Sequence, residues 1–176
     1  LESIQAEKDL MRPIKHSSQT IIDTSDFNVH QLKSNILDLI HKGDKCKNFI
    51  KINVMSFGFK YGTPNEADIV IDIRFLANPY FVPELKHLDG ESKEVKKFIL
   101  SKNETGVFLE KYIDLLYYLI PLYKRENKAY LTIAVGCTGG RHRSVVITRS
   151  IFEHLNKKGH NPGIIHRDID RDIKET

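Results

Sequence analysis

Apolar positions along the chain fall into helical stripes separated by short, densely apolar runs. Ile4, Leu10, Met11 and Ile14 have the spacing of a helix over residues 1–14, with Pro13 near its stop. Thr20-Ile21-Ile22-Asp23 reads as a short strand, and Thr24-Ser25-Asp26 supplies capping side chains. Val29, Leu32, Ile36, Leu37 and Ile40 then mark a second helix over about 29–41. Gly43-Asp44 ends it. Lys42–Lys47 is a polar linker, so the pattern divides the chain into 1–47 and 48–176.

Past the linker, strands and helices alternate. Residues 49–56 read as a strand with Ile50, Ile52, Val54 and Ser56 on one face, followed by a loop at Gly58, Gly62 and Pro64. Residues 68–75 read as a strand whose Ile-Val-Ile run suggests burial on both faces, as in a parallel sheet. Asn78-Pro79 opens an irregular stretch containing Pro83 and Gly90. Helices are predicted over 92–100 and 105–125. The second carries Val107, Phe108, Tyr112, Leu115, Leu116 and Leu119, and Pro121 kinks or shortens it. Residues 129–135 form the clearest buried strand. A glycine-rich loop, Gly136–Gly140, leads to a helix over about 141–158, and residues 163–166 form a last short strand. The alternation predicts an α/β fold with a mostly parallel or mixed sheet flanked by helices.

A length of 176 residues suits one domain, or one domain with a piece of another. The chain opens at Leu1, inside an amphipathic segment and without an initiator Met, so it is expected to be a piece of a longer protein. A hydrophobic content of 40% supports a real core and excludes wholesale disorder. No apolar run approaches the ~20 residues that cross a bilayer, and no leader pattern precedes a small-residue cleavage site. Two cysteines, Cys46 and Cys137, make neither a disulfide framework nor a four-thiolate metal site, and a reducing cytoplasm fits best.

Charge is uneven. Residues 141–176 hold eight Lys/Arg against five Asp/Glu, while the rest of the chain holds 19 against 18. Arg141, Arg143, Arg149, Lys157 and Lys158, offset by Glu153, make the predicted late helix the basic element. Such a face suits an anion or nucleic acid, or is simply solvated. The final residues after His166 alternate in sign and are no polybasic tail.

Chemistry concentrates in Gly136-Cys137-Thr138-Gly139-Gly140-Arg141-His142-Arg143-Ser144. A glycine turn between a strand and a helix offers main-chain N–H groups and a helix N-terminus to an anion. Arginine and histidine side chains add charge-assisted hydrogen bonds. No Walker motif, G-x-x-x-x-G-K-[ST], occurs. Cys137 and Arg143 do satisfy C-x5-R, the spacing of cysteine-dependent phosphatases, for which Asp72 and Asp68 are the candidate acids. Lys60, Asp72, Arg74, Asn78 and Tyr80 follow other predicted strands. In a parallel sheet they would converge on the same edge. Asp72 there either meets a hydroxyl or amino group of a sugar phosphate or pairs internally with Arg74 or Arg143. Phe57, Phe59 and Phe75 are expected in the core. His30 and His41 sit on a surface helix, and His16, His87, His154, His160 and His166 lack ligand spacing, so no metal site is expected.

Three segments, Ser56–Gly62, Asp72–Pro79 and above all Tyr130–Ser144, resemble the RapZ/YvcJ family of bacterial RNase adapters, also described as P-loop nucleotide-binding proteins. The resemblance runs from about Glu7 to Asp168. It implies that residues 1–47, with Ile22–Ser25 and Val29–Leu32, are the tail end of an N-terminal ATP/GTP-binding domain whose Walker motif would lie before Leu1. Residues 48–176 would be the C-terminal domain of that two-domain protein, with no cofactor of their own. The family's C-terminal domain binds a small regulatory RNA and glucosamine-6-phosphate, and mediates homo-oligomerisation and contacts with protein partners. By position, the resemblance assigns the sugar-phosphate pocket to Asp72, Cys137, Thr138, Gly139, His142 and Arg143, and Gly140 and Arg141 complete the loop. Arg149, Lys157 and Lys158 are the RNA candidates. Tyr61 and Tyr80 stand where some members carry histidine.

Overall fold

The computed structural model describes residues 2–25, 27, 29–40, 50–126 and 128–171. The chain divides into two units, Leu1–Lys47 and Asn48–Thr176. Asp26, His41, the 42–47 linker with Cys46, and the residues after Arg171 lie outside the described residues.

The first unit holds two helices, α1 (Glu2–Ser17) and α2 (Val29–Ile40). α1 runs through Pro13 instead of stopping there. Proline removes one N–H donor but leaves the bonds on either side, and Ser18 Oγ closes the end by donating to the Lys15 carbonyl at 2.8 Å. Residues 20–23 form no strand. Asp23 makes a turn instead, with its Oδ1 accepting from Ser25 N at 3.0 Å. Ile4, Leu10, Met11 and Ile14 are all more than half exposed on α1.

The second unit is built on four strands: β1 (Lys51–Gly58), β2 (Ile69–Asp72), β3 (Tyr130–Cys137) and β4 (Gly163–His166). Every pairing is parallel, in the order β2-β3-β1-β4. The helices α3 (Lys93–Leu100) and α4 (Asn103–Arg125) cross from β2 to β3 and α5 (Arg143–Lys157) from β3 to β4, while the loop over 59–68 joins β1 to β2. Ile52, Val54, Leu131 and Ile133 from the central strands share one core with Ile99, Leu116, Ile120, Ile147, Ile151 and Leu155 from the helices. The α/β class predicted from the alternation is the observed one.

Several details differ from the sequence pattern. β2 ends at Asp72, because the Asp72 carboxylate accepts from the Arg74 main-chain N–H at 2.9 Å and turns the chain. It is an edge strand with Val70 42% exposed, so the Ile-Val-Ile run is not buried on both faces. α4 carries Pro121 without breaking, and its buried stripe is Thr105, Tyr112, Ile113, Leu116 and Ile120, leaving Val107 and Leu115 exposed. Phe75 is not core. It is 64% exposed and sets its ring edge-to-face on Phe108 at 5.4 Å. α5 begins at Arg143, two residues later than the basic run suggested, because Gly140 turns with φ +80° and His142 is still non-helical at φ −110°, ψ −84°.

Candidate functional site

Parallel pairing fixes where the loops emerge. Gly58 is in register with Cys137, Asp72 with Gly136, and Ser56 with His166. The carboxyl ends of all four strands therefore lie along one edge, the usual place for a ligand in an open α/β sheet.

The loop after β3 is held from below by glycine contacts. A Cβ on Gly58 would stand 2.5 Å from the Gly139 carbonyl carbon, and one on Gly140 would stand 2.7 Å from Gly58 N. These two backbones touch, and no larger residue fits either position without movement. Lys60 N–H donates to the Thr138 carbonyl at 3.0 Å, tying the loop after β1 to the loop after β3. Among the described residues, the main-chain N–H groups of Thr138, Gly139 and Arg141 make no protein hydrogen bond. Gly140 N–H donates to Cys137 Sγ at 3.3 Å. The sulfur also lies 3.2 Å from Ser144 Oγ, and Cys137 is only 3% exposed. The first turn of α5 follows at once and adds its free N–H groups and the positive end of its dipole.

Arg143 is the buried charge of the site, 5% exposed. Its Nη1 donates to the carbonyls of Arg74 at 2.7 Å and Leu76 at 3.1 Å, and its Nη2 to Thr138 Oγ1 at 3.2 Å. Burial pushes its pKa down, and the Cys137 and Asp72 side chains oppose that shift. The guanidinium thus reaches the loop through Thr138 while bracing the chain after β2. Asp72 does not pair with it directly. The carboxylate is held by Arg74, with Oδ2 2.7 Å from Nη2. That hydrogen-bonded partner is the main reason its pKa lies below the ordinary carboxylate value. The Arg74 guanidinium also lies 4.5 Å from the Phe59 ring centre.

Other candidates are placed differently. Arg141 donates to the carbonyls of Ile169 at 2.9 Å and His87 at 3.2 Å, so its side chain links two loops instead of facing an anion. The His142 ring turns to the main chain at Leu88 and Lys86, and burial pushes its pKa down. Its Nε2 is buried with no partner among the described residues. Lys60 Nζ lies 5.3 Å from the Tyr61 ring centre. Asn78 Oδ1 accepts from Tyr80 N at 3.4 Å and starts a short 3-10 turn, and half-exposed Tyr80 packs edge-to-face on Phe81. Neither side chain joins the loop through a described hydrogen bond. Arg149 is not a free cation, because Nη2 is 2.8 Å from Glu91 Oε1. Lys157 is exposed, and Lys158 Nζ lies over the Tyr117 ring.

Sequence reasoning missed two clusters at this edge. Asp168 is fully buried and ion-paired with Arg167 and Arg171. The only signal was the alternating charge of that segment, which resembles a solvated turn. His166, set aside for lack of ligand spacing, has Nδ1 2.8 Å from Ser56 Oγ and Nε2 3.0 Å from Glu91 Oε1, off the ring's N–H direction. Among the described residues no group of His, Cys, Asp and Glu is arranged to hold a metal ion.

Fold and edge together define an α/β domain whose glycine-rich loop crowns the carboxyl end of a parallel sheet. Residues 50–170 match the family model described as the RapZ C-terminal domain. The chain is 62% identical over 175 residues to a nucleotide-binding protein of Desulforapulum autotrophicum, covering 99% of this chain and 60% of that one. It is 47% identical over 174 residues to a nucleotide-binding protein of Caldicellulosiruptor saccharolyticus, covering 99% and 59%. A nucleotide-binding protein of Clostridium novyi is 44% identical over 175 residues, covering 99% and 60%. The chain belongs to the RapZ family, and it spans about 60% of the length of these curated relatives.

Proposed function

We propose that the Gly136–Ser144 loop binds the phosphate of a small metabolite, an amino-sugar phosphate such as glucosamine-6-phosphate, and that the domain acts as a regulatory adapter without turning the ligand over. The observation that carries this reading is the set of unpaired N–H groups at Thr138, Gly139 and Arg141, at the start of α5 and backed by the buried guanidinium of Arg143. Exchange of the exposed Asp72–Arg74 pair for ligand contacts would give the carboxylate to an ammonium or hydroxyl group and the guanidinium to phosphate oxygens. Calorimetry with glucosamine-6-phosphate and inorganic phosphate tests it. Saturable binding of both, tighter for the sugar phosphate, supports the reading. No heat with either overturns it.

A second reading rests on Cys137. Its sulfur accepts from Gly140 N–H beside Ser144 Oγ, just ahead of α5, and C-x5-R is satisfied. Against it stand the burial of Cys137 and the occupation of the candidate acid Asp72 by Arg74. Release of phosphate from an aryl phosphate, lost in Cys137→Ser, would establish the phosphatase instead.

The relatives are longer and are named nucleotide-binding proteins, which supports a parent protein that binds a nucleotide; our reading is ATP or GTP, held in a further domain. The exposed apolar face of α1 suits the interior of that domain. A small regulatory RNA as partner rests on Lys157 and Lys158 alone, now that Arg149 is paired. Protein partners, a homo-oligomer and a cytoplasmic site of action follow from the family reading. Among the described residues no helix is long and apolar enough to cross a membrane.

A further inference from the structure

The fully buried Asp168 carboxylate stands out in the second unit, because its partners are parts of the loop edge itself. Its Oδ2 accepts the Gly58 N–H at 2.8 Å. Arg167 grips the carboxylate through Nε at 3.0 Å and Nη2 at 2.7 Å, and Arg171 Nε lies 3.1 Å from Oδ1. Arg167 Nη2 also donates to the Gly62 carbonyl at 2.7 Å, across the loop that follows β1. The two arginines lie against aromatic rings of β1 and of that loop, Arg167 over Phe57 at 5.4 Å and Arg171 over Tyr61 at 5.0 Å. A Cβ on Gly140 would stand 2.9 Å from the Asp168 Cβ, and one on Gly58 2.8 Å from Gly140 N. The carboxylate, Gly58 and the Gly139–Gly140 turn are therefore stacked in direct contact.

We propose that Asp168 is a positioning residue: by holding the Gly58 N–H within the Arg167–Arg171 clasp, it seats the Gly139–Gly140 turn in the shape that presents its N–H groups to an anion. This rests on the anion-binding reading given above. A salt-bridged carboxylate needs its charge for this work, since a neutral amide keeps the size of the side chain but loses the charge-assisted bonds that hold both arginines. Coupling of this kind is reciprocal. If the clasp raises the affinity of the loop, an anion in the loop must stabilise the clasp by the same factor.

The experiment compares this chain with its Asp168→Asn variant, using inorganic phosphate and glucosamine-6-phosphate as probes. Calorimetry should show affinity about tenfold lower in the variant, on the order of one net hydrogen bond. In nitrogen–proton correlation spectra, the Gly58, Gly139 and Gly140 amides should move together in the variant before any ligand is added. In the wild type, hydrogen exchange over residues 163–171 should slow when phosphate is added. If the variant does not fold, Arg171→Gln replaces it. Arg171 is half-exposed, and the same amide shifts are expected with a loss of about threefold in affinity. Wild-type binding with unchanged affinity and unmoved glycine amides in the folded variant would overturn the proposal and leave the anion site standing. Absence of wild-type binding would remove the anion site and the proposal together.

Discussion

Gly140→Ala is the substitution whose consequence the structure sets most tightly. Gly140 has φ +80°, in the left-handed region, where a side chain costs about 1–2 kcal/mol. The new Cβ would also stand 2.7 Å from Gly58 N, 2.9 Å from Asp168 Cβ and 3.0 Å from the Phe57 carbonyl carbon. Two of those atoms are backbone and the third belongs to a buried side chain, so relief requires moving β1 or the loop. Overpacking of that kind adds about 1–3 kcal/mol. The sum, about 2–5 kcal/mol, lowers Tm by about 6–25 °C in a domain of this size. Gly62 and Gly159 supply the controls. Each has φ +81°, but open space surrounds the missing Cβ. Gly62→Ala and Gly159→Ala should therefore cost only the backbone strain, about 1–3 kcal/mol. Thermal unfolding followed by circular dichroism measures all three. A Tm loss in Gly140→Ala no larger than in either control would refute the close approach of the two loops.

Arg143→Lys keeps the charge but not the planar fork that serves the Arg74 and Leu76 carbonyls together with Thr138 Oγ1, so urea unfolding should show a loss of about 1–3 kcal/mol. Wild-type stability in that variant would mean that the chain after β2 holds itself. Burial is the main cause depressing the imidazole pKa of both His142 and His166, so the folded state binds fewer protons than the unfolded one between their lowered values and the ordinary imidazole value of about 6.5. Stability should accordingly fall as pH drops below about 6.5, with the lowered carboxylates Asp72 and Glu91 adding their loss only nearer pH 4. Tm measured at pH 7.5 and 5.5 checks the sign, and a rise on acidification contradicts it. Lys157→Glu with Lys158→Glu should weaken retention of structured RNA and reduce the log–log salt slope by about 2, while leaving phosphate binding alone. RNA retention indifferent to both salt and the double variant would put the RNA surface elsewhere.

The strands were legible because a parallel sheet buries nearly every side chain of its central members, which leaves runs such as Leu131–Val135 with few alternatives. The position of the glycine loop was legible because Gly139 and Gly140 fall between a densely apolar run and a helical stripe. The edge strand was not, since Val70 is as apolar as a central residue and only the topology leaves it exposed. Individual cations were misread for a related reason. Arg141 and Arg149 are spent on carbonyls and on Glu91, partners distant in sequence, and spacing cannot distinguish a braced arginine from a waiting one. Asp168 was hidden in the same way: a buried acid among basic neighbours has the sequence pattern of a solvated turn. Its role emerges only when β1 and β4 are placed side by side, more than a hundred residues apart in the chain.

The central claim is that main-chain N–H groups of the loop after β3 receive a phosphate. A titration of the nitrogen-15-labelled chain with glucosamine-6-phosphate, followed amide by amide, tests it directly. The account predicts saturable downfield shifts at Thr138, Gly139 and Arg141, with smaller movements at Gly58 and in the first turn of α5. Saturable shifts confined to other loops, with these three amides unmoved, would contradict it.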